Sequence, residues 1–193
     1  MKIKYKMMNK ILTALMTGLL LFGSSCEEYL EIEPTGSLLA DQAFNSKEDI
    51  IFGINGCYDA LQFSGYYGRT YINVADLAAD NAYNGGTILE YGQVNNNNIL
   101  EDNALIEAIW ADIYTAINRV NTITTILDDI ELTTEERTEL ESELRFLRAL
   151  HYFNLMAVFE HVPLRLIPTR NLENLDEPLA ERDSVFSFIH EDL

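Results

Sequence analysis

The sequence predicts an all-α fold built on helical hairpins, and three observations carry that reading. Apolar residues recur at three- and four-residue steps from Ala104 to about Asp129. A second periodic stretch runs to about Phe159 and opens on Thr133-Thr134-Glu135-Glu136, the pattern of a capping box. The connection between the two stretches is short, so the helices are expected to pack antiparallel.

The chain opens differently. Met1 to Lys10 carries Lys2, Lys4, Lys6 and Lys10 and no acid, and Ile11 to Gly23 is apolar. That run is shorter than the roughly 20 residues of a membrane span. Small residues Gly23, Ser24 and Ser25 follow, so the segment reads as a secretory signal peptide rather than a signal anchor. Next comes Cys26. The run Leu20-Leu-Phe-Gly-Ser-Ser-Cys26 looks like a lipoprotein cleavage site rather than an ordinary cysteine behind a simple signal peptide. The Cys26 thiol would then carry acyl chains, each buried CH₂ holding the membrane with about 0.8 kcal/mol. Residues 1–25 are thus the expected signal peptide. Residues 26–45 are the expected lipidated terminus and tether, extended because of Pro34 and Gly36.

A helical domain is expected over 46–193. Ser46 caps a helix to about Gln62, with Ile50, Ile51, Ile54, Cys57, Tyr58 and Leu61 as its apolar positions. Gly53 and Gly56 weaken it but permit close approach of a neighbouring helix. From Ser64 to Asn103 the sequence is rich in Gly, Asn and Tyr. A short helix is expected around Tyr71 to Ala79, and long irregular loops elsewhere.

The stripe Ile106, Ile109, Trp110, Ile113, Ile117, Val120, Thr124 and Leu127 defines the first long helix. Asp128 and Asp129 oppose the C-terminal dipole, so it should end just before them. The second carries Leu140, Leu144, Leu147, His151, Leu155 and Val158, with Pro163 as its stop. The pair is similar to a tetratricopeptide unit, although longer and without the strict consensus. A third helix is expected to begin near Asp183 as N-cap, with Val185, Phe186 and Ile189, and the chain stops inside it at Leu193. The expectation is an N-terminal portion of a longer protein.

Charge and composition exclude some functions. The formal charge is −18 and becomes −22 when the four lysines of the signal leave with no acid. Such a field opposes nucleic acid, whose phosphates need Lys or Arg, and opposes adsorption on an anionic membrane surface. With Cys26 acylated, only Cys57 remains, so no internal disulfide is expected and Cys57 reads as a buried inert thiol. His151, His161 and His190 are scattered singly, so no metal or other cofactor is expected. There is no nucleophile elbow, phosphate loop or zinc motif, so no enzyme is expected. Carboxylate pairs are abundant in so acidic a chain and are weak evidence for glycoside hydrolysis.

Three stretches together resemble the SusD/RagB family of Bacteroidetes. Trp110-Ala-Asp-Ile-Tyr-Thr-Ala-Ile-Asn-Arg-Val-Asn121 is similar to the family's pattern of Trp, then Tyr, then Ile-x-x-x-Asn. Glu143-Leu-Arg-Phe-Leu-Arg-Ala-Leu-His-Tyr-Phe-Asn-Leu155 resembles the family signature, and Phe159-Glu-His-Val-Pro-Leu164 its usual Phe-Gly-x-Val-Pro-Leu. Arg182 to Leu193 is similar to the family's next repeat helix. Glu160 stands where glycine is common and Leu144 where alanine is frequent. The resemblance implies tetratricopeptide-like hairpins with long loop insertions, and family members more than twice as long. It implies a lipid-anchored lipoprotein of the outer membrane, at the cell surface. The partner would be a SusC-like TonB-dependent transporter, and the ligand an oligosaccharide or another oligomeric nutrient. Glu27 and Glu28 resemble the surface-export signal of such lipoproteins. Two other readings stay open: a peptide-binding, RagB-like lipoprotein, and a helical-repeat adaptor without a small ligand.

For the site, Arg145 and Arg148 read as helix-to-helix partners of acids such as Asp112 or Glu143, and Trp110 as core. The loop from Asp80 to Gln93 is the ligand candidate. It offers Asp80, Asn81, Tyr83, Asn84, Glu90 and Tyr91. Sugars need flat apolar faces and hydrogen-bonding groups, and tyrosine supplies both. The bland alternative is a solvated Asn- and Gly-rich turn. A calcium reading of Asp80, Asn81 and Asn84 lacks the ordered ligand spacing of a calcium loop.

Overall fold

Helix α1 (Lys47–Asp59) begins where Ser46 accepts from the Asp49 backbone N–H, and it tightens into a 3-10 turn over Ala60–Gln62. The computed structural model describes residues 43–79, 81–169 and 176–193. The signal peptide, Cys26 and the tether to residue 42 lie outside them. Next come α2 (Thr70–Ala78), α3 (Leu89–Asn95), α4 (Ala104–Leu127) and α5 (Thr134–Val158). A two-residue strand β1 (Val162–Pro163) pairs antiparallel with β2 (Leu179–Ala180), and α6 (Arg182–Asp192) follows. The described residues are thus mainly helical, with one minimal β ladder that the periodicity did not predict.

The long hairpin is the frame. Asn103 accepts from the backbone N–H groups of Leu105 and Ile106 and so starts α4. The capping box at Thr133 and Glu136 starts α5 as expected. Burial of neither partner is needed: the Glu136 carboxylate accepts from Lys47 and Thr133, and those bonds hold its pKa down to about 2. Near the turn, Arg137 donates to the carbonyls of Leu127 and Ile130. At the other end, Tyr114 of α4 donates to the Pro163 carbonyl beyond α5. These contacts set the two helices antiparallel. Helix α5 gives way at Phe159, whose extended backbone ends it well before Pro163. Pro163 instead sits in the short β1 strand.

Two apolar clusters flank the hairpin. At its turn, Ile50, Ile54 and Cys57 of α1 pack on Val120, Ile123, Leu127, Leu140, Leu144 and Leu147. At its open end, Val74 and Leu77 of α2, Val94 of α3, Val162, and Val185 and Ile189 of α6 pack on Ile109, Ile113, Ile117, Tyr152 and Leu155. Val158, assigned to the apolar stripe, is half exposed because α5 ends there. Close approach holds at Gly53, where a Cβ would meet Ile123 Cδ1 at 2.5 Å. It does not hold at Gly56, which faces open space but whose carbonyl accepts from Arg119. Cys57 is buried, and desolvation pushes its thiol up to about 12, which keeps it inert.

Arg148 is structural, but with a different partner from those expected. Its Nε and NH2 donate to the two Asp192 oxygens at 2.7 and 2.8 Å, joining α5 to α6. Asp112 instead accepts from the Gly65 N–H at 2.7 Å, and Glu143 lies against the Tyr58 hydroxyl of α1. Arg145 is exposed and forms no ion pair among the described residues. Asp183 is not the N-cap of α6: Glu181 occupies that position without a side-chain cap, and Asp183 sits in the first turn.

His151 is fully buried beneath a tyrosine group. Its Nδ1 lies 3.1 Å from the Tyr66 hydroxyl, which also accepts from Asn154. Tyr66 stacks on Tyr67 and meets Tyr71 edge-on. Among the described residues His151 Nε2 has no partner. Desolvation pushes the imidazole pKa from 6.5 down to about 4.

Three outcomes follow for stability. Arg148→Met strands a buried carboxylate and should cost roughly 3–5 kcal/mol in urea unfolding, with the Arg148→Met, Asp192→Leu pair costing much less than the sum. The folded chain keeps His151 neutral while the unfolded chain protonates it. Stability is therefore full above pH 6.5 and falls as the pH drops toward 4, by roughly 3 kcal/mol. His151→Gln should flatten the urea midpoint across that window. The Glu136 contribution is lost lower, between 4.5 and about 2.

Candidate functional site

The segment from residue 81 to 103 is less irregular than its composition suggests. Leu89–Asn95 is helix α3, so Glu90, Tyr91 and Gln93 stand on a helix rather than in a loop. Three polar devices hold it. Asn97, the one non-glycine residue with positive φ (51°) among those described, lets the chain turn back at its end. The Asn98 N–H then donates to the Gln93 carbonyl and the Asn97 N–H to that of Val94, which closes the helix as a Schellman motif. Asn103 donates to Gln93 Oε1 at 2.8 Å and to the Glu90 carbonyl, while Gln93 Oε1 also accepts from the Leu100 N–H.

Against this helix lies the turn at Asn84. Its N–H donates to Asn95 Oδ1, and its own Oδ1 accepts from the Gly86 N–H, each at 3.1 Å. Tyr83, Asn84 and Tyr91 line one shallow pocket of about 240 Å³ with Asn73, Asp76 and Leu77 of α2. Tyr83 is 85% exposed, so its ring is free to take a ligand face. Tyr91 is half-buried, and its hydroxyl accepts from Asn73 at 3.4 Å. Asn81 does not line the pocket; its backbone N–H closes the end of α2 on the Asp76 carbonyl. Asp80 lies outside the described residues. Asn73 and Asp76 lie on a segment read only as a short helix, and their three-residue spacing puts both on one helix face.

The surface offers aromatic faces, amide groups and the single carboxylate Asp76 among the described lining. That set can stack on apolar C–H faces and hydrogen-bond hydroxyls. Among the described residues no cluster of three or more His, Cys, Asp or Glu is placed to hold a metal ion.

A second cleft, of about 280 Å³, runs beside Trp110, Tyr114 and Ile117. Trp110 is only half buried: it packs on Tyr114 and Phe159 and leaves one side to this cleft. Its two asparagines are already engaged. Asn121 donates to the Arg165 carbonyl, and Asn118 accepts from the Thr169 N–H. They hold the segment after Pro163 onto α4.

Several known proteins are similar to this chain. The family model SusD-like_3, described as starch-binding associating with outer membrane, matches residues 28–185. SusD-like protein P25 of Formosa agariphila is 27% identical over 184 residues, covering 88% of this chain and 34% of the relative. SusD-like protein P38 of the same organism is 31% identical over 142 residues, covering 73% and 27%. A solved laminarin binding SusD-like protein superposes with a TM-score of 0.68 at 25% identity, over 77% of this chain and 33% of its own. The chain spans about a third of the length of these relatives.

Asn103→Ala removes both the α4 cap and the clasp on Gln93. It should cost about 2 kcal/mol in urea unfolding and speed hydrogen exchange in α3 before the rest of the fold opens.

Proposed function

The chain belongs to the SusD-like family, and on that premise we propose that it is part of a cell-surface lipoprotein that captures glycan. The ligand sits at the Tyr83, Asn84 and Tyr91 pocket. A SusC-like TonB-dependent transporter of the outer membrane receives it, and acylated Cys26 holds the protein to that membrane. The observation that carries the reading is the pocket itself: two tyrosines and two amides around a hydrogen-bonded turn, with Tyr83 almost wholly exposed. The laminarin binding neighbour supports glycan as the ligand class. The protein binds without acting on its ligand in this reading. Glycoside hydrolysis takes a pair of carboxylates, and the described lining supplies Asp76. Asp80 and Asn81, adjacent in sequence, are secondary contacts in the same proposal.

One set of strains tests both halves. Expressed in its native host, Cys26→Ala should lose fatty-acid labelling and leave the membrane fraction. Tyr83→Ala should stay there, yet weaken retention in polysaccharide-containing gels about tenfold, the loss of one stacking platform. Laminarin and starch are the first polysaccharides to cast. Unchanged migration of the parent protein in every polysaccharide, with binding to peptides instead, would replace glycan as the ligand.

A further inference from the structure

Asparagine precedes glycine twice in this chain, at Asn55-Gly56 and at Asn84-Gly85. The two pairs sit in opposite settings. Asn55 lies inside α1. There the helical backbone points the next amide nitrogen along the axis, away from the asparagine carbonyl carbon, and uses its N–H in the helix. Asn84 lies in the turn before α3, outside any helix or strand.

We propose that Asn84 is a modification site, losing its side-chain amide spontaneously to water through a cyclic imide formed with Gly85, while Asn55 keeps its own. Three features of the turn favour the reaction. Gly85 has no side chain to crowd Asn84, and beyond its two chain neighbours nothing lies within 4 Å of where its Cβ would stand, so Gly85→Ala alters the attack without disturbing the fold. Asn84 Oδ1 already accepts from the Gly86 N–H at 3.1 Å. Among the described residues Asn84 Nδ2 makes only a long contact of 3.5 Å to the Ile88 carbonyl.

The Gly85 nitrogen gives its proton to hydroxide and bonds to Asn84 Cγ. The electron pair of the C=O bond moves to Oδ1, where the Gly86 N–H donates to the developing charge. The Cγ–Nδ2 bond then breaks and Nδ2 leaves as ammonia, taking a proton from water. Water opens the ring at either carbonyl, leaving aspartate or isoaspartate at position 84. The net change is amide plus water to acid plus ammonia.

The product alters the pocket. Either acid brings a negative charge beside Asp76, and isoaspartate adds a methylene to the main chain. That displaces the N–H that donates to Asn95. A loss of glycan binding on ageing rests on the function proposed above, whereas the reaction itself does not.

The test is peptide mapping by mass spectrometry after incubation of the folded protein in mildly alkaline buffer, with isoaspartyl methyltransferase labelling. The expected result is an amide-to-acid mass shift and a rising isoaspartyl label in the peptide that holds residue 84. The Asn55 peptide should stay unchanged until urea unfolds the chain. Gly85→Ala should abolish the shift and keep the native circular dichroism. The proposal is overturned if residue 84 stays an amide in the folded protein while it reacts in urea. It is equally overturned if Asn55 keeps pace with it in the folded state, or if Gly85→Ala leaves the rate unchanged. Binding is then scored separately on the aged sample, so a glycan result of either sign leaves the chemistry to the mass spectrum.

Discussion

Arg148 makes three contacts at once, on two neighbouring helices. Its fork grips both oxygens of Asp192 on α6, its NH1 reaches Asn121 on α4 at 3.4 Å, and its plane lies over the Phe188 ring. A carboxylate as buried as Asp192 is tolerable only with such a partner. The same Asn121 donates to the Arg165 carbonyl, which also accepts from Tyr152. One guanidinium thereby ties the hairpin, the following helix and the segment after Pro163 into one seam. Lysine would not serve, since an ammonium cannot meet both oxygens in a planar fork.

What the sequence made legible follows from how each element is stabilised. Helices α4 and α5 are long and carry their instructions locally, in an apolar stripe and in the Thr133–Glu136 box, so periodicity finds them. Helix α3 is short, contains Gly92 and ends in a run of asparagines. Nothing local predicts it, because what stabilises it is the Gln93–Asn103 clasp and the left-handed Asn97. The Arg148 pairing failed for a related reason. Its partner Asp192 comes not from the hairpin, as Asp112 or Glu143 would, but from α6 further along the chain. Long-range ion pairs leave no spacing signal.

The candidate site was legible by composition and not by shape. A stretch rich in Asn, Gly and Tyr marked the segment, and Tyr83, Asn84 and Tyr91 from it line one pocket. Asn81 does not, because its backbone is used to finish α2. Asn73 and Asp76, polar positions on the short helix α2, complete the lining. Trp110 shows the converse. A tryptophan on an apolar stripe was expected in the core, and it packs there only in part, because the helix that carries it borders an open cleft.

The pocket and the frame are one hydrogen-bonded system. Asn103 caps α4 with its carbonyl oxygen and clasps Gln93 with its amide nitrogen, so the start of the hairpin and the helix beneath the pocket share a residue. Asn95, one turn from Tyr91 on α3, accepts from the Asn84 N–H and pins the turn. A surface loop normally pays conformational entropy when a ligand orders it. Here the amides have already met that cost during folding, through bonds that close within the chain. Tyr83 is the exception, almost fully exposed and without a described hydrogen bond. A rigid turn that presents a single aromatic ring loses little freedom when a flat ligand face settles on it. In this arrangement the amides give order to the turn and the tyrosine gives exposed aromatic area.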